Sequence, residues 1–197
     1  MKTIDIVLYL TIIILVLSLY KYFEKTFSEL VKVKSTVDGR EYYVQNLPDK
    51  QIACDNLAKL RAILLKVVNY MADHFPNDDR CHRLKKNFNP DRLIENSNKG
   101  KYTSYSVNKG EKIMLCIRQR NDSNDLVDLN TVTFVAIHEL AHLMTKSIGH
   151  TDEFWENMKF LLHNVINSDL GVYQYQPFHK DPIEYCGTKI TDTPYKI

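Results

Sequence analysis

The chain has 197 residues, 44% of them hydrophobic and 25% charged, with a formal net charge of +2. That length suits one compact domain with a short appendage rather than two domains, and the composition excludes disorder as the default. A charge so near zero also excludes a nucleic-acid footprint spread over the whole surface, so any basic footprint would have to be local.

The amino terminus departs most from globular composition. Ile6 to Tyr20 is an uncharged, almost wholly apolar run, with Tyr20 and Tyr22 at its end where amphipathic rings favour a membrane interface. It predicts one transmembrane helix within residues 1–23, and hence a single-pass membrane protein with an amino-terminal anchor. No small-x-small cleavage site follows the run, which favours an anchor over a removable signal peptide. Lys21, Lys25, Lys32 and Lys34 follow it, against Lys2 before it, and this balance places the remaining chain on the cytosolic side. Residues 24–48 are mixed and charged and read as a stalk. Residues 49–197 read as the folded domain.

Within that domain Gln51 to Phe75 carries Leu57, Leu60, Leu64, Val67, Val68 and Met71 at helical spacing, an amphipathic helix ended by Pro76. Asn77 to Lys101 is polar and reads as loop. It holds the one local basic cluster: Arg80, His82, Arg83, Lys85, Lys86 and Arg92. Tyr102–Ser106 and Lys112–Arg118 read as strands of an antiparallel hairpin around Lys109-Gly110. After a polar loop, Asp128 is positioned to cap a helix running from Leu129 to Lys146. A second helix follows from Thr151 or Asp152. The tail from Gly171 to Ile197, rich in Tyr and Pro, reads as extended chain wrapped on the domain. Cys54, Cys81, Cys116 and Cys186 form no CxxC pair and read mainly as reduced, buried thiols, although an even count permits disulfides.

The chemistry is concentrated in His138-Glu139-Leu140-Ala141-His142. Histidines four apart on a helix share one face, so both imidazoles can reach one ion, and zinc accepts neutral imidazole nitrogen. Glu139 stands beside the first of them, where it can take a proton from a water that the ion activates. The motif sits among Phe134, Val135, Ala136, Ile137, Leu140, Leu143 and Met144. A buried helix does not carry two imidazoles and a carboxylate unless they are paired or metallated.

A catalytic zinc commonly takes a third protein ligand and keeps one position open. His150 is the leading candidate, with Gly149 supplying the left-handed turn that swings it back. Asp152, Glu153 and Glu156 are carboxylate alternatives, and His163 and His179 are weaker ones. Tyr173, Tyr175, His179 and Tyr185 of the tail are candidate donors to an oxyanion. Trp155 reads as an anchor fixing the following helix to the core.

The strand KIMLCIR, the polar loop, the HELAH helix, Gly149-His150 and the string His150-Thr151-Asp152-Glu153-Phe154-Trp155 together resemble the WLM family of small zinc metallopeptidases, relatives of the SprT/Spartan proteases. Seven residues separate His142 from His150, a longer spacer than is usual in that family. The resemblance implies an α+β fold, a zincin-like minimal metalloprotease domain with helices on a small antiparallel sheet. It also implies one zinc ion on His138, His142 and His150, Glu139 as catalytic base, and a protein or peptide substrate. Because relatives are associated with proteins crosslinked to DNA, it brings in nucleic acid as a secondary partner. A span, this core and a tail containing Tyr185-Cys186-Gly187 are also similar to uncharacterised proteins of large DNA viruses. The alternative expectation is a structural or virion membrane protein that keeps the zinc for stability alone.

Overall fold

The computed structural model describes residues 3–27 and 29–197, with side chains described for residues 9–22 and from 29 onward. Helix α1 runs from Thr3 to Phe27. Its described apolar side chains stand open to solvent on every face, from Ile12 at 47% to Tyr22 at 69% exposed. Among the described residues no helix is long and apolar enough to cross a membrane. The expected anchor, and the single-pass placement and orientation built on it, are thereby corrected. The uncharged run Ile6–Tyr20 supplies only about 22 Å of helix at 1.5 Å per residue, against roughly 30 Å of hydrocarbon. Lys2 and Lys25, used for the orientation, lie outside the described side chains.

The segment expected as a stalk contains a hairpin of strands β1 (Leu30–Lys34) and β2 (Glu41–Gln45), paired antiparallel from Leu30↔Gln45 to Lys34↔Glu41. Alternation across β2 sends Tyr42 and Val44 into the core, so this segment is part of the domain rather than a spacer. Helix α2 (Lys50–His74) follows and buries Leu57, Leu60, Leu64, Val67, Val68 and Met71 as their spacing requires. Helix α3 (Asp79–Asn87) replaces the expected loop. Asp78 caps it by accepting from the Arg80 amide, and only Cys81 and Leu84 are buried.

Strand β3 (Leu93–Glu95) comes next, then β4 (Tyr105–Val107) and β5 (Lys112–Leu115). The order is β3-β5-β4, with β3 parallel and β4 antiparallel to β5. The sheet is therefore mixed, not purely antiparallel. Three residues of β3 carry too little pattern to announce a strand. The β4–β5 turn takes left-handed backbone at Asn108, Lys109 and Gly110. At Gly110 a Cβ would meet the Asn87 carbonyl oxygen at 2.1 Å, so only glycine fits.

Helix α4 (Leu129–Met144) is the central element, buried along most of its length and packed against α2, α3, the sheet and helix α5 (Asp152–Asn167). Its cap is the expected one: Asp128 accepts from the Thr131 amide at 2.9 Å. Beyond α5 the tail is extended, closing in a hairpin of β6 (Ile183–Tyr185) and β7 (Thr188–Ile190). Cys186 and Gly187 form its two-residue turn with φ of 52° and 79°, the pattern of a type I′ turn.

Two buried linkages hold these layers in place. Arg118, 1% exposed, pairs with Glu95 at 2.7 Å and with Asp49 at 2.6 Å, and Glu95 also accepts from the Gln45 amide at 2.7 Å. This ties the β1–β2 hairpin and the start of α2 to the mixed sheet. A disulfide joins Cys116, just past β5, to Cys186 in the tail hairpin, correcting the expectation of four reduced thiols. The pairing depends on a tertiary approach across 70 residues of sequence. Cys54 and Cys81 remain free and buried, as expected.

Candidate metal centre

His138 and His142 project from one face of α4, one turn apart, with ring centroids separated by 5.0 Å. After α4 ends at Thr145 the chain turns through Gly149, whose φ is +84°, and brings His150 back over them. The His150 and His138 Nε2 atoms lie 2.9 Å apart, and His150 is 5.0 Å from His142 between ring centroids. One ligand nitrogen from each of the three lies within 4.8 Å of the others, forming a group that could hold a metal ion. Two ligands placed 2.0–2.1 Å from a tetrahedral ion stand about 3.3 Å apart, close to the spacing of the His138–His150 pair. The three residues anticipated from the motif and from His150 are thus brought together.

The longer spacer between His142 and His150 is held from several sides. Arg83 donates to the Met144 carbonyl at 2.8 Å, and Asn87 donates to that of Leu143 at 3.0 Å. Lys109 Nζ reaches the carbonyls of Thr145 and Ser147, at 2.6 and 3.2 Å. A cation there satisfies the open carbonyls of the α4 terminus and suits its dipole. From the other side, the Glu153 carboxylate accepts from the amides of Lys146 (2.9 Å) and Ser147 (3.0 Å) and from the Ser147 hydroxyl (2.8 Å). Those amides hold Glu153 low, at about 2. Glu153 is consequently occupied in bracing the loop rather than joining the three histidines. Thr151 caps α5 through the Phe154 amide.

Beneath the cluster lies Phe154, wholly buried, whose ring centroid is 4.3 Å from His142 and 4.7 Å from both His138 and His150. This apolar floor disfavours charged imidazolium. Burial first, then the neighbouring histidines, lowers His138 to about 3, and burial chiefly lowers His142 to about 4. His150 is lowered by burial as well. All three are therefore neutral near pH 7 with lone pairs available, the state in which imidazole binds a metal.

Glu139 lies on the buried side of α4 and is 2% exposed. Burial raises it to about 8, opposed by hydrogen bonds from the amide and the hydroxyl of Ser106 on β4. Among the described residues its Oε2 atom has no hydrogen-bond partner. An unpaired buried carboxylate oxygen is costly in a site built only for packing. Glu139, with His138 and His150, is among the residues lining a cavity of about 520 Å³.

The other side of that cavity comes from the tail, from Tyr185, from Thr188 to Asp192 and from Pro194. Of the candidate oxyanion donors only Tyr185 lines it, and its hydroxyl already donates to the Cys116 carbonyl at 2.7 Å while meeting Ser104 Oγ at 2.7 Å. Tyr173, Tyr175 and His179 lie elsewhere. Trp155 departs from its expected role: it is 43% exposed and forms part of the cavity wall, while its neighbour Phe154 serves as the buried anchor. Ser106 escaped notice in the sequence, because a lone serine on a strand is commonplace, whereas Glu153, weighed there as a carboxylate ligand, instead braces the loop.

The basic cluster lies on and after α3, away from the cavity. Arg80 is paired with Asp78 at 2.7 Å and lies over the Phe160 ring at 4.1 Å, while Arg83 is engaged at the end of α4.

Residues 85–195 match the model of the WLM domain, which spans β3 to β7 and contains every residue of the centre. The chain belongs to the WLM domain family. It is 35% identical over 196 residues to an uncharacterised protein of Acanthamoeba polyphaga mimivirus, covering 96% of this chain and 95% of that one. An uncharacterised protein of Invertebrate iridescent virus 6 is 36% identical over 85 residues, 42% of this chain and 44% of its own. Among solved structures, Wss1 from Saccharomyces cerevisiae aligns with a TM-score of 0.40 at 21% identity, over 61% of this chain and 81% of that one.

Proposed function

We propose that this WLM domain is a zinc-dependent metallopeptidase that hydrolyses peptide bonds in protein or peptide substrates. The observation carrying this reading is the buried Glu139 Oε2, left without a partner beside three converging neutral histidines. His138, His142 and His150 would hold one zinc ion. When bound, the ion would polarise the substrate carbonyl and lower the pKa of water towards about 7. Glu139 would then take the proton of the attacking water at Oε2 and pass it to the leaving amine. A carboxylate raised to about 8 in the metal-free chain is readily protonated, which suits the second transfer. Ser106 holds the carboxylate in place, and the Phe154 floor keeps water from behind the imidazoles.

The rival reading is a WLM-like domain whose zinc serves stability alone. Such a site needs its histidines and is indifferent to Glu139. The test is elemental analysis of the purified chain and of its His150→Ala variant, followed by peptide hydrolysis with Glu139→Gln as control. One zinc per chain, weakened by His150→Ala, with activity falling roughly 100- to 10,000-fold in Glu139→Gln, is the expected result. Zinc bound without any hydrolysis would favour the structural reading. Folded protein that takes up no zinc would sink both.

A further inference from the structure

Resting on the peptidase reading, we propose that the cavity beside His138, Glu139 and His150 is a subsite for one large apolar side chain of the substrate, next to the bond cleaved, with Trp155 as its principal wall.

Trp155 is the only tryptophan in the chain, and it is 43% exposed although both Phe154 and Met158 on the same helix are buried. A large apolar ring left open beside reactive groups marks a binding surface more often than a packing residue. Its indole is tilted 33° to the His150 ring with centroids 5.5 Å apart, which sets it directly beside the three histidines. Phe134, Val135 and Met158 continue the apolar lining on the helical side, and Ile190 and Pro194 complete it from the tail.

Charge within the cavity is confined to the reaction site and the tail. Lys189 and Asp192 line the tail side, but Lys189 is bonded to Glu184 at 3.2 Å and Asp192 to Lys196 at 3.1 Å. Each already has an oppositely charged partner on the tail. A volume of about 520 Å³ fits the range of sites that enclose a ligand on several sides. The complementary occupant is aromatic or leucine-sized. An acidic or basic side chain would lose hydration there and meet charges that are already paired along the tail.

The experiment measures binding to the zinc-loaded full chain carrying Glu139→Gln, so that turnover plays no part. Acetylated hydroxamates of phenylalanine, alanine and aspartate are titrated by calorimetry, with Trp155 fluorescence followed in parallel. The phenylalanine compound should bind at least tenfold more tightly than the other two and move Trp155 emission to shorter wavelength. Trp155→Ala should erase that preference, and Ile190→Asp on the opposite wall should reduce it. Equal affinities, no binding, or a preference untouched by both substitutions would overturn the subsite. A phenylalanine preference with no peptide cleavage by the unsubstituted chain would instead retain the subsite and fail the peptidase reading.

Discussion

Ser106 on β4 lies against Glu139 on α4, where its backbone amide and hydroxyl hold the carboxyl below the level that burial alone would set. The contact joins the sheet to the helix bearing the motif. Hydrogen bonds to a charged group contribute about 1.5–3 kcal/mol, so removing the hydroxyl alone should be measurable. We expect Ser106→Ala to lower kcat about tenfold with little change in KM, and Ser106→Thr to restore most of it. Because these bonds hold the Glu139 pKa down, the acid limb of the pH–rate profile should move to higher pH in Ser106→Ala. An unmoved limb would show that Ser106 merely packs.

The loop that delivers His150 depends on Glu153. Glu153→Ala leaves the Lys146 and Ser147 amides without their acceptor, and His150 loses its fixed approach. Zinc affinity should fall roughly 10- to 100-fold, as it does when outer partners of metal ligands are removed. At saturating zinc, kcat should recover. Glu156→Ala, about five-sixths of a turn further along α5 and exposed, is the control and should leave affinity unchanged. Competition with a chromogenic chelator reads both variants.

Metal-free protein should show opposed limbs in its stability against pH. The folded pKa values of His138 and His142 lie below the ordinary 6.5, so their contribution is present above pH 6.5 and is lost as pH falls towards about 4 and 3. Glu139 has the opposite sign. Its folded pKa is raised from 4.5 to about 8, so its contribution is present below pH 4.5 and is lost as pH rises towards 8. Thermal melting of chelated protein should accordingly show a loss between pH 6.5 and 8 that Glu139→Gln removes, while the acid loss persists. If both proteins lose the same stability over that interval, Glu139 is not buried as described.

Reduction should act on the cleft as well as on the fold. Cys186 sits in the turn of the β6–β7 hairpin, and residues 188–192 and 194 beyond it line the cavity. Cys186→Ser, or treatment with a reductant that leaves zinc in place, should lower Tm by several degrees. It should also raise KM more than it lowers kcat, since His138, Glu139 and His142 lie on α4. Equal kinetics before and after reduction would show that the hairpin holds its position without the bridge.

Much of the centre is legible in the sequence itself. The spacing of His138 and His142, the Asp128 cap and the glycine before His150 are local features whose geometry follows from helix and turn rules. Legibility failed where partners come from afar. Strand β3 is three residues long and carries Glu95, a buried charge that makes sense only once Arg118 is known to meet it. Helix α3 hides a two-residue apolar contact, Cys81 and Leu84, within a run of charges. The cysteine pairing was equally remote, although Cys186 in a left-handed turn position, where asparagine or glycine is usual, carries a faint local sign of a special role. Trp155 illustrates a different difficulty, since helical spacing alone does not say which of two adjacent aromatic rings, 154 or 155, turns inward.

The bridge between Cys116 and Cys186 has a topological consequence. It closes a ring that contains α4 and α5 whole, so Glu139 and all three histidines lie within one covalent circuit. Closing a loop of that length removes chain entropy from the unfolded ensemble worth roughly 4 kcal/mol. Even when heat or denaturant scatters the rest of the molecule, the imidazoles of an oxidised chain stay tethered at high effective concentration. Such a chain should recapture its metal and recover on cooling, whereas a reduced one must find its ligands along an open polymer.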